Sequence, residues 1–139
     1  MGSLIFIDTS IFVAILAFEA DRAGFEVEIE TATRRMTSGI GRLEMAVVLA
    51  SRIDVSPRDA QGQFDKFLGS ANVEEIAIDA EIAREALECF EKFGRGRHPA
   101  RLNFADCLSY ASAKARGARL LFKGNDFTRT DANTWIDKT

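Results

Sequence analysis

The sequence has no segment long and apolar enough to span a membrane and no cysteine pattern typical of a disulfide-stabilised fold. It also lacks the strong net positive charge that would favour binding to a polyanion such as a nucleic acid. Its net charge is −3 over 139 residues, so any nucleic-acid binding needs a local basic patch. The two cysteines, Cys89 and Cys107, have no metal-type spacing, which favours buried free thiols in a reducing compartment. No apolar run approaches the ~18 residues that span a membrane, and no basic leader precedes the N-terminal apolar run. We therefore expect a cytoplasmic protein.

Short apolar segments alternate with longer segments of helical periodicity along the chain. Residues 4–7, 36–38, 73–78 and 120–122 are the strand candidates, and Trp135 and Ile136 are expected to form a final edge strand. The helix candidates are 11–18, 23–35, 43–51, 57–69, 80–93 and the segment from Phe104 to Gly117. This alternation predicts one domain over residues 1–139, of the α/β class, with a mostly parallel sheet covered by helices on both faces.

One charged residue, Asp8, interrupts an otherwise apolar stretch over residues 4–18. The order of residues predicts a buried strand, a sharp turn at Thr9 and Ser10, and a helix. Burying an unpaired carboxylate costs several kcal/mol, so Asp8 needs a partner. Ligands of open α/β sheets bind at the carboxyl ends of strands, which is where Asp8 is expected to lie.

Three further acids share this environment. Asp126 follows the strand at 120–122, and we expect Glu44 and Asp106 in the first turns of helices that are otherwise almost uncharged. Each acid has a simpler alternative when it is taken alone. Asp8 and Asp106 could merely cap their helices, and Glu44 could pair with Arg42 or a distant arginine.

A divalent metal would resolve the repulsion that four clustered carboxylates create. Oxygen ligands without thiolate or imidazole suit Mg²⁺ or Mn²⁺. Such an ion lowers the pKa of a bound water and supports phosphoryl transfer, although the sequence leaves open whether one or two ions bind. Thr9, Ser10 and Asn125 could orient a phosphate or a water, while Asp131, a possible fifth acid, lies in polar surroundings typical of a surface residue.

The loop at residues 94–101 carries the densest positive charge, and it precedes the Asp106 helix. Arg95, Arg97 and Arg101 either form a solvated loop or bind a phosphate strand. His98 is interpreted as a loop residue beside Pro99 rather than a catalytic base. Lys123 could contact substrate or neutralise the acids.

Four blocks of sequence carry a resemblance to a known family. They are Phe6-Ile-Asp-Thr-Ser10, Leu43-Glu44, Leu102-Asn-Phe-Ala-Asp-Cys107 and Leu121-Phe-Lys-Gly-Asn-Asp-Phe127. In order and approximate spacing, this set resembles the PIN-domain ribonucleases, above all the VapC toxins of bacterial toxin–antitoxin pairs. Asn125 stands where some relatives carry another Asp.

The resemblance implies a three-layer α/β/α sandwich and a metal-dependent endoribonuclease. Its four acids would be Asp8, Glu44, Asp106 and Asp126, binding Mg²⁺ or Mn²⁺, with Thr9 or Ser10 as the hydroxyl beside the first acid. It also implies RNA as substrate, a homodimer and a cognate antitoxin protein that covers the site. The apolar helices at 11–18 and 46–49 could supply surface for these partners, although core packing explains most of their apolar character.

Three rival functions stay open from the residues alone. A phosphatase of the haloacid-dehalogenase kind needs a second Asp two residues after the first, where this chain has Ser10. A receiver-type phosphoacceptor domain needs paired acids after the first strand, which the chain also lacks. The third rival is an interaction subunit whose acids bind a structural ion without cutting RNA.

Overall fold

The computed structural model describes residues 3–132, which contain four strands and six helices. The strands are β1 (Leu4–Ile7), β2 (Arg34–Ser38), β3 (Val73–Ile76) and β4 (Arg119–Leu121). The helices are α1 (Thr9–Leu16), α2 (Arg22–Thr31), α3 (Gly39–Ile53), α4 (Pro57–Ser70), α5 (Ala80–Phe93) and α6 (Phe104–Ala115). The proposed edge strand at Trp135 and Ile136 lies outside the described residues.

The strands form one parallel sheet in the order β3-β2-β1-β4. From β1 the chain crosses to β2 and β3 on one side, and it returns through α5 and α6 to place β4 on the other side. The chain order therefore reverses between β1 and β4, and a crevice forms at their carboxyl ends. Asp8 follows β1 there, and the segment that leads to Asp126 follows β4.

Two apolar cores cover the two faces of the sheet. Ile5, Ile7 and Leu121 point into a core shared with α1, α3 and α4, while Phe6 and Leu120 point into a core shared with α5 and α6. Neighbouring strand residues face opposite sides, so both cores take residues from the same short strands. The predicted α/β/α sandwich with a parallel sheet is confirmed.

Three helices differ from the prediction. The helix expected at 23–35 is α2, which begins at Arg22 and ends at Thr31, since Arg34 and Arg35 pair with β1 as part of β2. The helix expected at 11–18 is α1, which begins at Thr9 and ends at Leu16, and Phe18 lies beyond it with a positive φ of 55°. The helix expected at 43–51 is α3, which begins at Gly39. Gly41 lies inside this helix and packs closely against α1 and β2. A Cβ atom at this position would stand 3.4 Å from the Thr9 and Thr37 hydroxyl oxygens.

The remaining boundaries agree more closely with the sequence patterns. Ser56, Asp79 and Asn103 each accept a hydrogen bond from a backbone N–H in the first turn of the helix that follows, as capping residues do. Cys89 and Cys107 are buried free thiols, as expected. Within residues 3–132, every helix is too short or too polar to cross a membrane.

Candidate active site

A cleft of about 380 Å³ opens at the carboxyl ends of β1 and β4. All four predicted acids line it, together with Thr9 and Ser10. The complete lining is Asp8, Thr9, Ser10, Val13, Glu19, Glu44, Val48, Arg52, Asn103, Asp106, Lys123 and Asp126. The fold therefore brings together acids that are more than a hundred residues apart in the chain.

Asp8 is held in place by the turn that begins α1. It is only 7% exposed, and its carboxylate accepts hydrogen bonds from the Ser10 backbone N–H at 3.1 Å and the Ser10 hydroxyl at 2.6 Å. The same Ser10 oxygen accepts a bond from the Lys123 backbone N–H at 3.0 Å. Ser10 thereby joins the first acid to the segment that carries Asp126.

Asp106 completes a reciprocal cap at the start of α6. The Asn103 side chain accepts a bond from the Asp106 N–H at 2.9 Å, and Asp106 accepts one from the Asn103 N–H at 3.0 Å. Capping and lining the cleft are thus not alternatives for Asp106, nor for Asp8, because each carboxylate does both.

Glu44 lies in the second turn of α3, so its expected place in the first turn was wrong. It nonetheless lines the cleft, where the Thr9 hydroxyl donates a hydrogen bond to it. The alternative pairing with Arg42 is also wrong. Arg42 instead binds Glu75 at 2.8 Å and Asp65 at 2.7 Å, and their hydrogen bonds hold its pKa above the ordinary value.

Burial and the neighbouring acids raise the pKa of two carboxylates in the cleft, Asp106 and Glu44. Burial raises the pKa of Asp106 to about 7, opposed by the hydrogen bond from the Asn103 backbone and reinforced by Asp8, Asp126 and Glu44. Burial also raises the pKa of Glu44, with Asp8 and Asp126 adding to the effect and the Thr9 hydroxyl opposing it. Shifts of this kind are typical of functional sites, because folding alone gains nothing from clustering like charges.

Two cations reach the rim of the cleft, but neither neutralises the four acids. Lys123 donates to Glu19 at 2.5 Å and to Asp21 at 3.1 Å, and Arg52 donates to Glu19 at 2.5 Å. The Lys123 ammonium is the main reason that the pKa of Glu19 is lowered. Sequence patterns gave no signal for Glu19 or Arg52, because Glu19 lies in the loop between α1 and α2, Arg52 lies on α3, and the two meet only through the tertiary fold.

The other predicted residues lie away from the cleft lining. Asp131 accepts a hydrogen bond from the Tyr110 hydroxyl at 2.5 Å, and Asn125 lies in the turn before Asp126. His98 behaves as the predicted loop residue, since its Nδ1 accepts the Ala100 N–H at 3.0 Å and its ring contacts Phe93. The three predicted arginines of the loop are also outside this lining, at Arg95, Arg97 and Arg101.

The chemistry of the donors suits a hard divalent cation, but the side chains do not form a ready-made coordination site. The four acids supply carboxylate oxygens, with no thiolate or imidazole beside them. Among residues 3–132, no three acids, histidines or cysteines stand close enough to form a ready-made coordination group. The carboxylates instead have hydrogen-bond donors of their own: Asp8 accepts from Ser10, Asp106 from Asn103 and Glu44 from Thr9. A metal would have to draw these carboxylates together.

One protein family and several known ribonucleases match this chain over most of its length. The family model described as "PIN domain" matches residues 5–133. The chain is 40% identical to "Ribonuclease VapC30" of Mycobacterium tuberculosis over 128 residues, which cover 92% of this chain and 95% of that protein. It is 41% identical to "Ribonuclease VapC" of Mycolicibacterium smegmatis over 125 residues, which cover 90% of this chain and 95% of that protein.

Solved structures share the fold at lower sequence identity. The crystal structure of Mycobacterium tuberculosis VapC20, described as a sarcin–ricin loop cleaving toxin, matches with a TM-score of 0.70 at 23% identity and covers 89% of this chain and 92% of its own. A toxin–antitoxin complex from Klebsiella pneumoniae matches with a TM-score of 0.65 at 19% identity and covers 92% of this chain and 93% of its own. At these identities the likeness concerns the fold.

Proposed function

This chain belongs to the PIN domain family, among the VapC ribonucleases, and from that premise we propose that it is an endoribonuclease acting at the acidic cleft. The observation that carries the proposal is the convergence of Asp8, Glu44, Asp106 and Asp126 at the point where the chain order of the sheet reverses. Like charges gathered in one cleft, with Asp8 buried and Glu44 and Asp106 partly buried, destabilise the fold, so their presence is best explained by a reaction that needs them.

We propose that these four carboxylates hold Mg²⁺ or Mn²⁺. Supporting this, the donors are all oxygens, and burial, reinforced by the neighbouring acids, raises the pKa of Asp106 and Glu44. A bound divalent ion would supply an activated water and stabilise charge that develops on the phosphate.

The neutral and basic residues around the acids have positioning roles in this proposal. Ser10 fixes the Asp8 carboxylate and the segment after β4 together, and Thr9 orients Glu44. Lys123 and Arg52 lie at the rim, where both form ion pairs with Glu19. In the proposal, an RNA phosphate replaces the Glu19 carboxylate as the anion that these two cations bind. Asn125 and Asp131 flank Asp126 in sequence and would act by holding its segment in place.

The loop at residues 94–101 is proposed to bind the RNA backbone. Its three arginines are exposed, and the loop leads directly into α6, which carries Asp106. The loop gives this protein, whose net charge is negative, the local positive charge that attracts the RNA backbone.

We further propose that the protein is the toxin of a toxin–antitoxin pair, with a cognate antitoxin protein as partner and a homodimer as its assembly. The names of the relatives support this role. The apolar surface available to a partner agrees only in part with the expected one, since each expected segment contributes one exposed residue, Phe18 and Val47. Ile11, Phe12 and the rest of the α1 interior are buried, whereas Leu43 and Val47 of α3 are exposed.

RNA cleavage in Mg²⁺, Mn²⁺ and EDTA tests the nuclease proposal. A mixed pool of structured RNAs is incubated with the purified chain, with an Asp106→Asn variant and with an Asp54→Asn control. Asp54 is exposed, lies outside the cleft and has a left-handed backbone that Asn adopts readily, so the control makes the same chemical change elsewhere.

Cutting should require the metal, disappear with Asp106→Asn and persist with Asp54→Asn. Cutting that survives in EDTA or in Asp106→Asn would contradict the proposed site. A metal-dependent rise in melting temperature without any cutting would instead favour the structural-ion subunit. Affinity for the antitoxin is tested separately, by co-purification with the protein encoded beside the toxin.

A further inference from the structure

An exposed aromatic ring stands beside the acidic cleft. Phe104 is the first residue of α6 and is 78% exposed, whereas most of the phenylalanines in the described chain pack into the two cores or against them. It lies only two residues before Asp106 in the chain. A large ring left in water at this place is available for contact with a ligand.

The ring borders a second pocket with a volume of about 450 Å³. The lining of this base pocket, as we call it below, is Phe90, Arg95, Leu102, Asn103, Phe104 and Ala105. The Phe90 ring supports Phe104 from the side, with centroids 6.1 Å apart and planes at 65°. Most of the Phe104 surface stays uncovered by this contact, so the ring is both held and open.

The base pocket adjoins the acidic cleft. Asn103 lines both, and its reciprocal bonds with Asp106 fix the start of α6 between them. Asn103 therefore marks the boundary that an RNA strand would cross on its way from the acids to Phe104.

The charges around the base pocket match a nucleotide. Arg95 lines it, and within residues 3–132 neither Arg95 nor Arg101 has a carboxylate within ion-pair distance, whereas Arg97 is paired with Glu91 at 3.4 Å. The loop is held by the bonds from the Arg95 N–H to the Leu102 carbonyl and from the Leu102 N–H to the Phe93 carbonyl, both 3.0 Å. An arginine on a fixed backbone next to an open ring is a combination that single-stranded nucleic-acid sites use.

We propose that the base pocket is a nucleobase subsite, in which an unpaired RNA base stacks on Phe104 while Arg95 binds the adjoining phosphate. This role rests on the proposed nuclease function. It also narrows the substrate to RNA that is unpaired next to the scissile phosphate, because a base inside a duplex has no free face to offer.

Binding without cleavage tests the subsite directly. An Asp126→Asn background prevents turnover, and a short single-stranded RNA carries 2-aminopurine, whose fluorescence falls when it stacks on an aromatic ring. In this background, Phe104→Leu removes the ring and keeps apolar volume, whereas Phe104→Trp keeps a stacking surface. Phe18→Leu is the matched control, since Phe18 is 73% exposed and lines neither pocket.

Phe104→Leu should abolish the quenching and weaken RNA binding about tenfold, since stacking on an aromatic side chain contributes about that factor or more per base. Phe104→Trp and Phe18→Leu should bind as the parent does. A hairpin with its cleavage position buried in the stem should bind equally weakly to all four proteins. Equal quenching by Phe104→Leu and its parent would overturn the subsite.

Cleavage by the otherwise unmodified chain separates the two proposals. If the chain cuts RNA and Phe104→Leu cuts it with the same KM, the nuclease function stands and the subsite is refuted. If the chain neither binds nor cuts any RNA, both fail together. Thermal unfolding of Phe104→Leu checks folding, and an Arg95→Gln variant with raised KM and unchanged quenching would support the phosphate contact independently.

Discussion

The crowding of carboxylates in the cleft predicts that replacing Asp106 by Asn stabilises the metal-free protein above neutral pH. Asn keeps the side-chain oxygen that accepts the Asn103 N–H, so the cap at the start of α6 is retained. It removes the negative charge that burial and the neighbouring acids oppose. The substitution therefore isolates the electrostatic cost of the cluster.

The sign and size follow from the pKa of Asp106. It rises from an ordinary value of 3.8 to about 7 in the folded protein. Between about pH 4 and 7 the folded state keeps a proton that the unfolded state has lost, so stability falls as the pH rises through this range. The full rise in pKa corresponds to a loss of roughly 4 kcal/mol in the free energy of unfolding, and partial exposure of the side chain reduces this loss to about 1–2 kcal/mol.

Urea unfolding in EDTA at pH 5 and pH 8 measures this effect. At pH 8 the Asp106→Asn variant should be about 1–2 kcal/mol more stable than the unmodified chain, and at pH 5 the advantage should shrink. The Asp54→Asn control should show no such dependence. Adding Mg²⁺ at pH 8 should stabilise the unmodified chain more than Asp106→Asn. An equal difference at both pH values would refute the account of the cluster.

Three further predictions concern residues outside the cleft lining. Gly94→Ala should lower the stability measured by thermal unfolding by about 1–3 kcal/mol, because the new Cβ would lie 2.5 Å from the Phe90 carbonyl oxygen and ring. Gly24→Ala is the matched control: its new Cβ lies in open space within α2, so this variant should be more stable than the unmodified chain. Tyr110→Phe should cost about 1–2 kcal/mol in urea unfolding, since it removes the donor to the Asp131 carboxylate, and an unchanged midpoint would show that this bond contributes nothing. RNA affinity should fall as salt rises, and neutralising one arginine of the 94–101 loop should reduce the slope of log K against log salt by about 1 if that arginine binds a phosphate. A flat salt dependence would exclude the loop from RNA binding.

The sequence predicted the parts of the cleft that depend on local structure. Asp8 was placed correctly because an apolar run, one acid and two hydroxyls specify a strand, a turn and a cap. Asn103 and Asp106 are three residues apart, which is the spacing of a reciprocal helix cap. The parallel sheet followed from alternating short apolar and longer periodic segments.

What the sequence missed depends on tertiary contacts. The start of α3 at Gly39 was hidden because glycine disfavours helices, and the close packing of Gly41 against Thr9 and Thr37 is a tertiary contact that the sequence pattern does not show. Arg52 and Glu19 are 33 residues apart and lack any local pattern that would bring them to the same rim. The exposure of Phe104 could not be foreseen either, since an apolar residue at a helix start is usually assigned to the core.

The central claim is that four carboxylates act as one site on one RNA phosphate, and a double-mutant cycle tests it most directly. Single-turnover RNA cleavage is measured for Glu44→Gln, for Asp126→Asn and for the double variant, with folding checked by thermal unfolding. Residues that act as a unit give strongly non-additive effects, so the double variant should cleave little more slowly than the slower single variant. Rate losses that multiply, or a Glu44→Gln variant that cleaves at the normal rate, would contradict a shared site.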